Sequence, residues 1–444
     1  MSAVRIETFG CRLNFAESDA MLRAAQAAGA GPLSIVNGCA VTNEALRQAR
    51  QCARRLKRER PFAKVVVAGC PGQLEARSFA AMPEVDVVLG NCEKRDGALL
   101  ARIASGEEGA KIIVGDLAKG RLRTEGSAVA EARTRAFVEI QNGCDHHCTF
   151  CVIPSARGPS RSRDPDEIVA QIRRLAETGI AEVVLTGVDI TAYGDDSVGG
   201  LRLGGLIGRI LAEAPELKRL RLSSIDSVEV DADLLDAIGE QERLMPHLHL
   251  SLQSGDDLIL KRMKRRHTRR DAIEFCEKAR RLRPDMAFSA DLIAGFPTET
   301  DEMFERSLLL IEECGLARAH VFPFSPRSGT PAARMPQTPG DIGRARAAQL
   351  REASDRAWSG HLRAQVGARL EVLTERGGLA RAQDFTPLRL EGVAPGTICA
   401  ALVEASDGRE LKGRAIDRAL AGDPTEEIIE PLPDGALRAI IISS

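Results

Sequence analysis

Gly143-Cys-Asp-His-His-Cys-Thr-Phe-Cys-Val-Ile-Pro154 is the stretch on which the fold turns, because Cys144, Cys148 and Cys151 put three thiols within eight residues. They follow directly on a strand-like run, Phe137–Gln141. A C-x3-C-x2-C loop this tight can bring three thiolates around one iron–sulfur cubane and leave its fourth iron without a protein ligand. An open iron is what chelation of a small molecule needs. A closed four-ligand zinc site, with His146 or His147 as the fourth ligand, is the competing reading of the same thiols. The strand-and-helix rhythm around the loop favours the cluster and leaves both histidines as loop residues.

That rhythm runs from about residue 135 to 365. Strand-like runs at Phe137–Gln141, Glu182–Thr186, Arg219–Ser223, His247–Leu252, Ala287–Ile293 and Ala317–Phe322 alternate with helical patterns at Asp166–Thr178, Leu201–Ala214, Arg269–Leu282 and Glu299–Cys314. Six βα units are two short of a closed eight-fold barrel, so we expect a partial (βα)6 barrel with its chemistry at the C-terminal ends of the strands. Upstream, Val4–Thr8, Ile35–Asn37, Lys64–Ala68 and Val85–Leu89 alternate with helices Phe15–Ala28 and Thr42–Arg60, the second capped by Thr42 or Asn43. This implies a parallel α/β sheet with helices on its faces. Downstream, Arg369–Leu373, Pro387–Leu390 and Ile398–Val403 are broken by Gly-Gly, Pro-Gly and Asp-Gly turns, as in a small all-β barrel. The expected organisation is therefore an α/β domain over 1–118, a linker over 119–134, the partial barrel over 135–366 and the all-β module over 367–444.

At the open iron, the amino and carboxylate groups of S-adenosylmethionine (SAM) can chelate, placing the sulfonium where an electron from the cluster can break its C–S bond. A second constellation lies upstream. Cys11, Cys39 and Cys70 each follow a glycine (Gly10, Gly38, Gly69), and each pair closes a strand-like run. Adjacent parallel strands converge at their C-terminal edge, where ligands bind, so three thiols distant in sequence can meet around a shared metal cluster. Cys92 ends the fourth strand in a similar way and is a neighbour of that site. Cys52, Cys276, Cys314 and Cys399 read as structural.

The 444 residues are too many for one core, and 44% hydrophobic with 28% charged residues is the composition of a globular enzyme. No apolar run reaches membrane-spanning length, and Met1-Ser-Ala-Val-Arg lacks the pattern of a signal peptide. We expect a cytoplasmic protein, in which eleven cysteines point to metal or redox use more than to disulfides. The net charge is −2, yet 44–64 and 259–283 carry local excesses of +6 and +8, which aims these surfaces at a polyanion. With 3% aromatic residues, base stacking has little part in general RNA affinity, and phosphate contacts should dominate. Lys261–Arg270, read as a basic helix, and the tail module are the candidate RNA surfaces.

Nearly the whole chain resembles the radical-SAM methylthiotransferases. Thr8-Phe-Gly-Cys-Arg-Leu-Asn14, Asn37-Gly-Cys-Ala-Val-Thr42 and Val67-Ala-Gly-Cys-Pro-Gly-Gln73 look like that family's N-terminal motifs. Gly143–Pro154 with Ala156-Arg-Gly158 looks like its radical-SAM signature, and Leu252-Gln-Ser-Gly255 and Asp291-Leu-Ile-Ala-Gly-Phe-Pro297 also fit. Thr298 departs from it, standing where glycine is usual. The tail resembles the family's TRAM domain, an RNA-gripping barrel.

The resemblance implies two [4Fe–4S] clusters, an auxiliary one on Cys11, Cys39 and Cys70 and a radical one on Cys144, Cys148 and Cys151. One SAM methylates a sulfur on the auxiliary cluster. A second is reductively cleaved, and its 5′-deoxyadenosyl radical removes the C2 hydrogen of an adenine that then takes up the methylthio group. Gly187, Ser223 and Gln253 at strand ends are the expected SAM contacts. Arg157 is expected with them as a cofactor contact, and Arg157, Arg161 and Arg163 are suited to a carboxylate or phosphate. Partners implied are the anticodon stem-loop of tRNA and an electron donor such as a flavodoxin or ferredoxin, with no membrane and no DNA. Thr186-Gly-Val-Asp-Ile190 and Tyr193-Gly194 resemble the branch acting on N6-threonylcarbamoyladenosine, ahead of the branch acting on N6-isopentenyladenosine and the one acting on a ribosomal protein. A non-catalytic iron–sulfur RNA-binding protein is the alternative of a different class.

Overall fold

The computed structural model describes residues 3–118, 134–196 and 200–416, with the backbone of 437–440. All but the last residue of the linker expected at 119–134 lies outside the described residues.

The first sheet is parallel and carries β1 (Val4–Phe9), β2 (Leu33–Gly38), β3 (Lys64–Gly69), β4 (Val87–Leu89) and β5 (Ile112–Ile113) side by side in chain order. Alternate strand residues face opposite ways. Ile6, Ile35, Val66 and Leu89 pack with Met21, Leu22 and Leu100 of helices Arg12–Ala27 and Gly97–Ser105. Val36, Val65, Val67 and Val88 pack with Leu46, Ala53 and Leu56 of helix Asn43–Glu59 on the other face. Burial on both faces is why these strands are near-continuous apolar runs. Helix Asn43–Glu59 starts where the Thr42 side chain accepts a hydrogen bond from Ala45 N at 3.2 Å, as expected for a threonine cap.

The central unit is a partial barrel of six parallel strand positions. Strand β6 (Arg135–Glu139) is followed by a two-residue ribbon, β7 (Gln141–Asn142) against β8 (Arg161–Ser162). Then come β9 (Glu182–Thr186), β10 (Arg219–Leu222), β11 (Ser224–Ile225), β12 (His247–Gln253), β13 (Ala287–Ala294) and β14 (Leu316–Pro323). Their order is sequential, β6-β9-β10 and then β11-β12-β13-β14, with the ladder interrupted only at Ser223. Leu248, Leu250 and Leu252 of β12 and Phe288, Ala290 and Leu292 of β13 pack outward on the helices. Their alternates therefore turn inward: His247, His249, Ser289 and Asp291. The interior is consequently polar.

The third unit is a closed barrel of β15 (Arg369–Thr374), β16 (Leu379–Ala382), β17 (Pro387–Arg389), β18 (Ile398–Ser406) and β19 (Leu411–Ala415). It is filled by Val372, Leu388, Ala401, Val403 and Leu411. The last strand, β20 (Leu437–Ile440), differs from the expectation that 367–444 forms one module. It pairs in parallel with β1 and completes the edge of the first sheet, where an unpaired strand would otherwise expose its backbone.

Phe385 joins the barrels. Its ring lies 4.7–5.4 Å from the guanidinium carbons of Arg12, Arg135, Arg221 and Arg381, a cation–π arrangement. Arg219 reaches Glu371 at 2.9 Å and Arg135 reaches Glu375 at 2.7 Å across the same junction.

Candidate functional site

The loop carrying Cys144, Cys148 and Cys151 leaves β6 at the barrel rim and is fixed at several points. Gly143 adopts φ +78°, and a Cβ there would stand 1.9 Å from Pro159 O, so only glycine fits the entry to the loop. Cys144 N donates to Gly158 O at 3.1 Å. Thr149 is tied to the helix Asp257–Met263 region through Met263 O at 3.0 Å and Arg262 O at 2.8 Å. Phe150 packs into an apolar pocket with Met263, Phe296 and Phe324. All three thiols are half-buried, and Cys148 and Cys151 are near enough to act on Cys144 as like charges. Ile153 N donates to Cys151 Sγ at 3.4 Å, and Arg265 Nη1 to Cys148 Sγ at 3.8 Å.

The upstream thiols converge as the strand-end positions imply. A Cβ on Gly10 would lie 2.6 Å from Cys39 Cβ, so the chain at Cys11 passes directly over Cys39. Burial pushes the Cys39 thiol up to about 12, with the nearby Cys70 and Cys11 thiols adding to it as like charges. Burial also raises Cys144 to about 12 and Cys151 to about 11. Thiols this reluctant to ionise are poor free nucleophiles. They suit a cationic metal centre, which binds the thiolate and offsets its desolvation. One zinc ion would hold its thiols about 3.8 Å apart, from a Zn–S bond of about 2.3 Å in a tetrahedron. Neither cysteine triad closes to within 4.8 Å, whereas Cys144, His146 and Asp189 do. His146 stands with Asp189 at 2.6 Å, which holds the loop against the end of β9. The wider spacing of the triads suits a multi-iron cluster.

The two triads face each other. Helix Ile153–Arg157, which begins two residues after Cys151, packs on helix Cys70–Leu74, and Asn91 Nδ2 binds Ala156 O at 2.6 Å. Cys70 is close enough to act on Cys151 as a like charge.

Beneath the upstream triad lies a buried polar network that sequence reading did not foresee. Glu17 meets Lys94 at 2.5 Å, Arg157 at 2.9 Å and Arg95 at 3.1 Å, and Arg95 meets Glu139 at 2.6 Å. Burial opposes the charge on Glu17, but Arg157, Lys94 and Arg95 outweigh it and hold its carboxyl well below the usual range. Burial raises the Cys11 thiol, and the nearby Arg157 guanidinium opposes that rise.

Arg157 corrects the expectation of a SAM or substrate contact. Its guanidinium is spent on Glu17, on Asn14 Oδ1 at 2.6 Å and on Asn142 Oδ1 at 3.1 Å, at 3% exposure. Arg163 is likewise occupied by Glu139 O and Gln171. The other three expected SAM contacts share the rim with the cysteine loop. Gly187 follows β9 and packs on Gln141, and Gln141 Oε1 accepts from Val188 N at 3.0 Å and Asp189 N at 2.9 Å. Ser223 sits between β10 and β11 with a buried hydroxyl that has no partner, a polar atom suited to a ligand. Gln253 ends β12 at φ +67°, a left-handed conformation that costs energy in a non-glycine residue. Cys92 is half-buried and Cys52, Cys276, Cys314 and Cys399 are buried.

The basic runs also need correction. Lys261–Arg270 is not one helix, since helix Asp257–Met263 ends there and helix Arg269–Leu282 begins. Arg265 and Arg266 pair with Asp226, Arg269 with Glu313 and Arg270 with Glu274. In the first run Arg55 pairs with Glu7 and Lys57 with Asp86. Glu7, Asp86, Asp226 and Glu313, brought in from elsewhere in the chain, offset part of both excesses and leave each run net positive.

A three-cysteine loop on the rim of a partial parallel barrel defines a radical-SAM protein, and the family model for the Radical SAM superfamily matches residues 138–311. The upstream domain matches a model described as Uncharacterized protein family UPF0004 over residues 3–90. The chain is 47% identical over 388 residues to the threonylcarbamoyladenosine tRNA methylthiotransferase MtaB of Rickettsia prowazekii (strain Madrid E), covering 87% of this chain and 91% of that protein. It is 34% identical to the tRNA-2-methylthio-N(6)-dimethylallyladenosine synthase of Cereibacter sphaeroides (strain ATCC 17025 / ATH 2.4.3), covering 93% of this chain and 98% of that one. Among solved structures it is similar in fold to the radical SAM methyltransferase TsrM of Kitasatospora setae, with TM-score 0.53, 14% identity and coverage of 75% and 77% of the two chains. This chain belongs to the radical-SAM methylthiotransferase family, and it is an enzyme that uses SAM and an iron–sulfur cluster. No helix among the described residues is long and apolar enough to cross a membrane.

Proposed function

We propose that this enzyme adds a methylthio group to C2 of N6-threonylcarbamoyladenosine beside the anticodon of tRNA. The observation that carries the reading is the pair of cysteine triads facing each other across helices Cys70–Leu74 and Ile153–Arg157. The C2–H of adenine is neither acidic nor electrophilic, so radical chemistry is required, and a sulfur source must stand beside the radical source. The donor sets fit two clusters: three thiols each, spaced too widely for one ion, with N–H or guanidinium donors on their sulfurs. Bound there, a [4Fe–4S] cluster on Cys144, Cys148 and Cys151 supplies the electron that cleaves SAM, and one on Cys11, Cys39 and Cys70 holds the sulfur to be transferred.

The chain's own residues orient and shield. Ser223 and Gln253 hold SAM at the rim, and Gly187 keeps the end of β9 low enough for it to enter. Arg157, Glu17 and Lys94 brace the floor of the auxiliary site. We assign 1–118, 135–366 and the barrel after 367 to sulfur supply, radical chemistry and RNA grip respectively. A flavodoxin or ferredoxin delivers the electron, in the cytoplasm.

The isopentenyladenosine reading is the rival, given the 34% identity to a dimethylallyladenosine synthase. The polar barrel interior, with His249 on Asp291 at 3.1 Å and on Ser289 at 2.8 Å, favours a polar substituent over a hydrocarbon one. Anaerobic reaction of the reconstituted enzyme with SAM, dithionite and stem-loops bearing either nucleoside decides. We expect 5′-deoxyadenosine and methylthiolated threonylcarbamoyladenosine. Product on the isopentenyl stem-loop alone, or no 5′-deoxyadenosine, overturns the reading.

A further inference from the structure

We propose that Arg12, the residue after Cys11, receives the threonyl carboxylate of the substrate and so selects threonylcarbamoyladenosine over adenosines modified without a carboxylate. The inference rests on the substrate reading above and adds the residue that enforces it.

Arg12 opens helix Arg12–Ala27 in the N-terminal domain, yet its side chain crosses into the barrel, where Nη1 donates to Leu222 O at 3.3 Å. Leu222 is the last residue of β10, beside Ser223 and its unpartnered hydroxyl. The guanidinium therefore reaches the C-terminal end of β10 through Nη1, while its carbon stays 5.4 Å from Phe385 at the junction of the barrels, and it is attached to the cysteine strand end that frames the opposing triad.

Its neighbours are all provided with acids. Arg221 and Arg135 share Glu182 at 3.1 and 2.8 Å, Arg135 also takes Glu375 at 2.7 Å, and Arg219 takes Glu371 at 2.9 Å. Among the described residues no carboxylate pairs with Arg12. As an arginine it is a cation at neutral pH. The Phe385 ring, 5.4 Å from its guanidinium carbon, offsets part of the cost of burying this cation, and a ligand carboxylate would supply the direct counter-ion it lacks. Arg12 also acts as a like charge on His247 and His320, which places it among the inward polar side chains of the barrel and not on an outer surface. A backbone phosphate stays outside such an interior, whereas a carboxylate carried on a flipped-in base can reach it. A planar guanidinium can take that carboxylate through two parallel hydrogen bonds.

The test compares a threonylcarbamoyladenosine stem-loop with the same stem-loop bearing the threonyl methyl ester. Wild-type reconstituted enzyme should prefer the acid by about 30- to 100-fold in kcat/KM, the range expected for one charge-assisted contact. Arg12→Gln should lose a similar factor on the acid and treat acid and ester alike, and Arg12→Lys should recover part of the preference. Iron content and Tm report whether each variant is loaded and folded. Equal use of acid and ester by the wild type overturns the proposal without recourse to a variant. An unchanged acid-to-ester ratio in Arg12→Gln also overturns it, and a raised KM for SAM at unchanged ratio would assign Arg12 to the SAM carboxylate instead. Product only on the isopentenyl stem-loop removes the substrate reading itself, whereas product on the threonylcarbamoyl stem-loop with a persistent ratio removes Arg12 alone.

Discussion

Replacing Arg157 by alanine removes a guanidinium that joins the radical-SAM loop to the floor of the upstream triad. It donates to Glu17 at 2.9 and 3.1 Å, and to the side-chain oxygens of Asn14 at 2.6 Å and Asn142 at 3.1 Å. Two charge-assisted bonds are worth about 1.5–3 kcal/mol each. Glu17 keeps Lys94 at 2.5 Å and Arg95 at 3.1 Å, so its carboxylate is not stranded and the loss stays toward the lower end. The expected cost is about 3–4 kcal/mol, within the range for breaking a buried pair. Arg157→Lys keeps the charge but not the fork and should recover about half. Urea unfolding monitored by circular dichroism measures both variants, with iron per chain as a parallel readout. A loss below about 1 kcal/mol for Arg157→Ala, typical of an exposed ion pair, would refute the claim that this network braces the floor of the auxiliary site.

Gly143→Ala should lower iron content and abolish 5′-deoxyadenosine formation, because its Cβ would collide with Pro159 O at 1.9 Å; normal iron in this variant would show that the loop can shift. Thr298→Gly should stabilise the protein by about 0.5–1 kcal/mol, since a β-branched residue at φ +68° carries strain larger than the entropy glycine adds; a lowered Tm counts against this. His247 is held well below 6.5 by burial and then by Arg221 and Arg12, and His320 is lowered to about 4 by burial and His249. The folded chain thus binds fewer protons than the unfolded one below 6.5, so stability rises with pH between about 4 and 6.5 and is lost on acidification. His247→Gln should flatten that slope by up to about 1.4 kcal/mol per pH unit, and an unchanged slope contradicts the assignment. Affinity for tRNA should fall by at least about tenfold between 50 and 200 mM salt; a nearly flat dependence argues against phosphate-dominated binding.

Much of the architecture was legible because period-2 and period-3.6 patterns alternate cleanly. Strand Glu182–Thr186 and helix Arg269–Leu282 have the bounds that the pattern predicts. The convergence of Cys11, Cys39 and Cys70 was legible from their shared strand-end position after glycine. What resisted reading depends on partners distant in the chain. Nothing local to Arg157 tells that Glu17, 140 residues away, will consume its charge. The basic runs look like free polycation until Asp226, Glu313 and Glu7 are folded against them. Phe385 is an ordinary turn phenylalanine in sequence, and only docking makes it the plug among four arginines. The one local clue to Arg12 was its place next to Cys11. Thr298 is the converse case: the glycine-type turn persists at φ +68° despite the substitution.

The central claim is that this chain installs methylthio groups on threonylcarbamoyladenosine in tRNA. Mass spectrometry of tRNA nucleosides from a strain lacking its gene tests it most directly. The account predicts that methylthio-threonylcarbamoyladenosine disappears while threonylcarbamoyladenosine accumulates and methylthio-isopentenyladenosine is unchanged. Persistence of methylthio-threonylcarbamoyladenosine in that strain would contradict it.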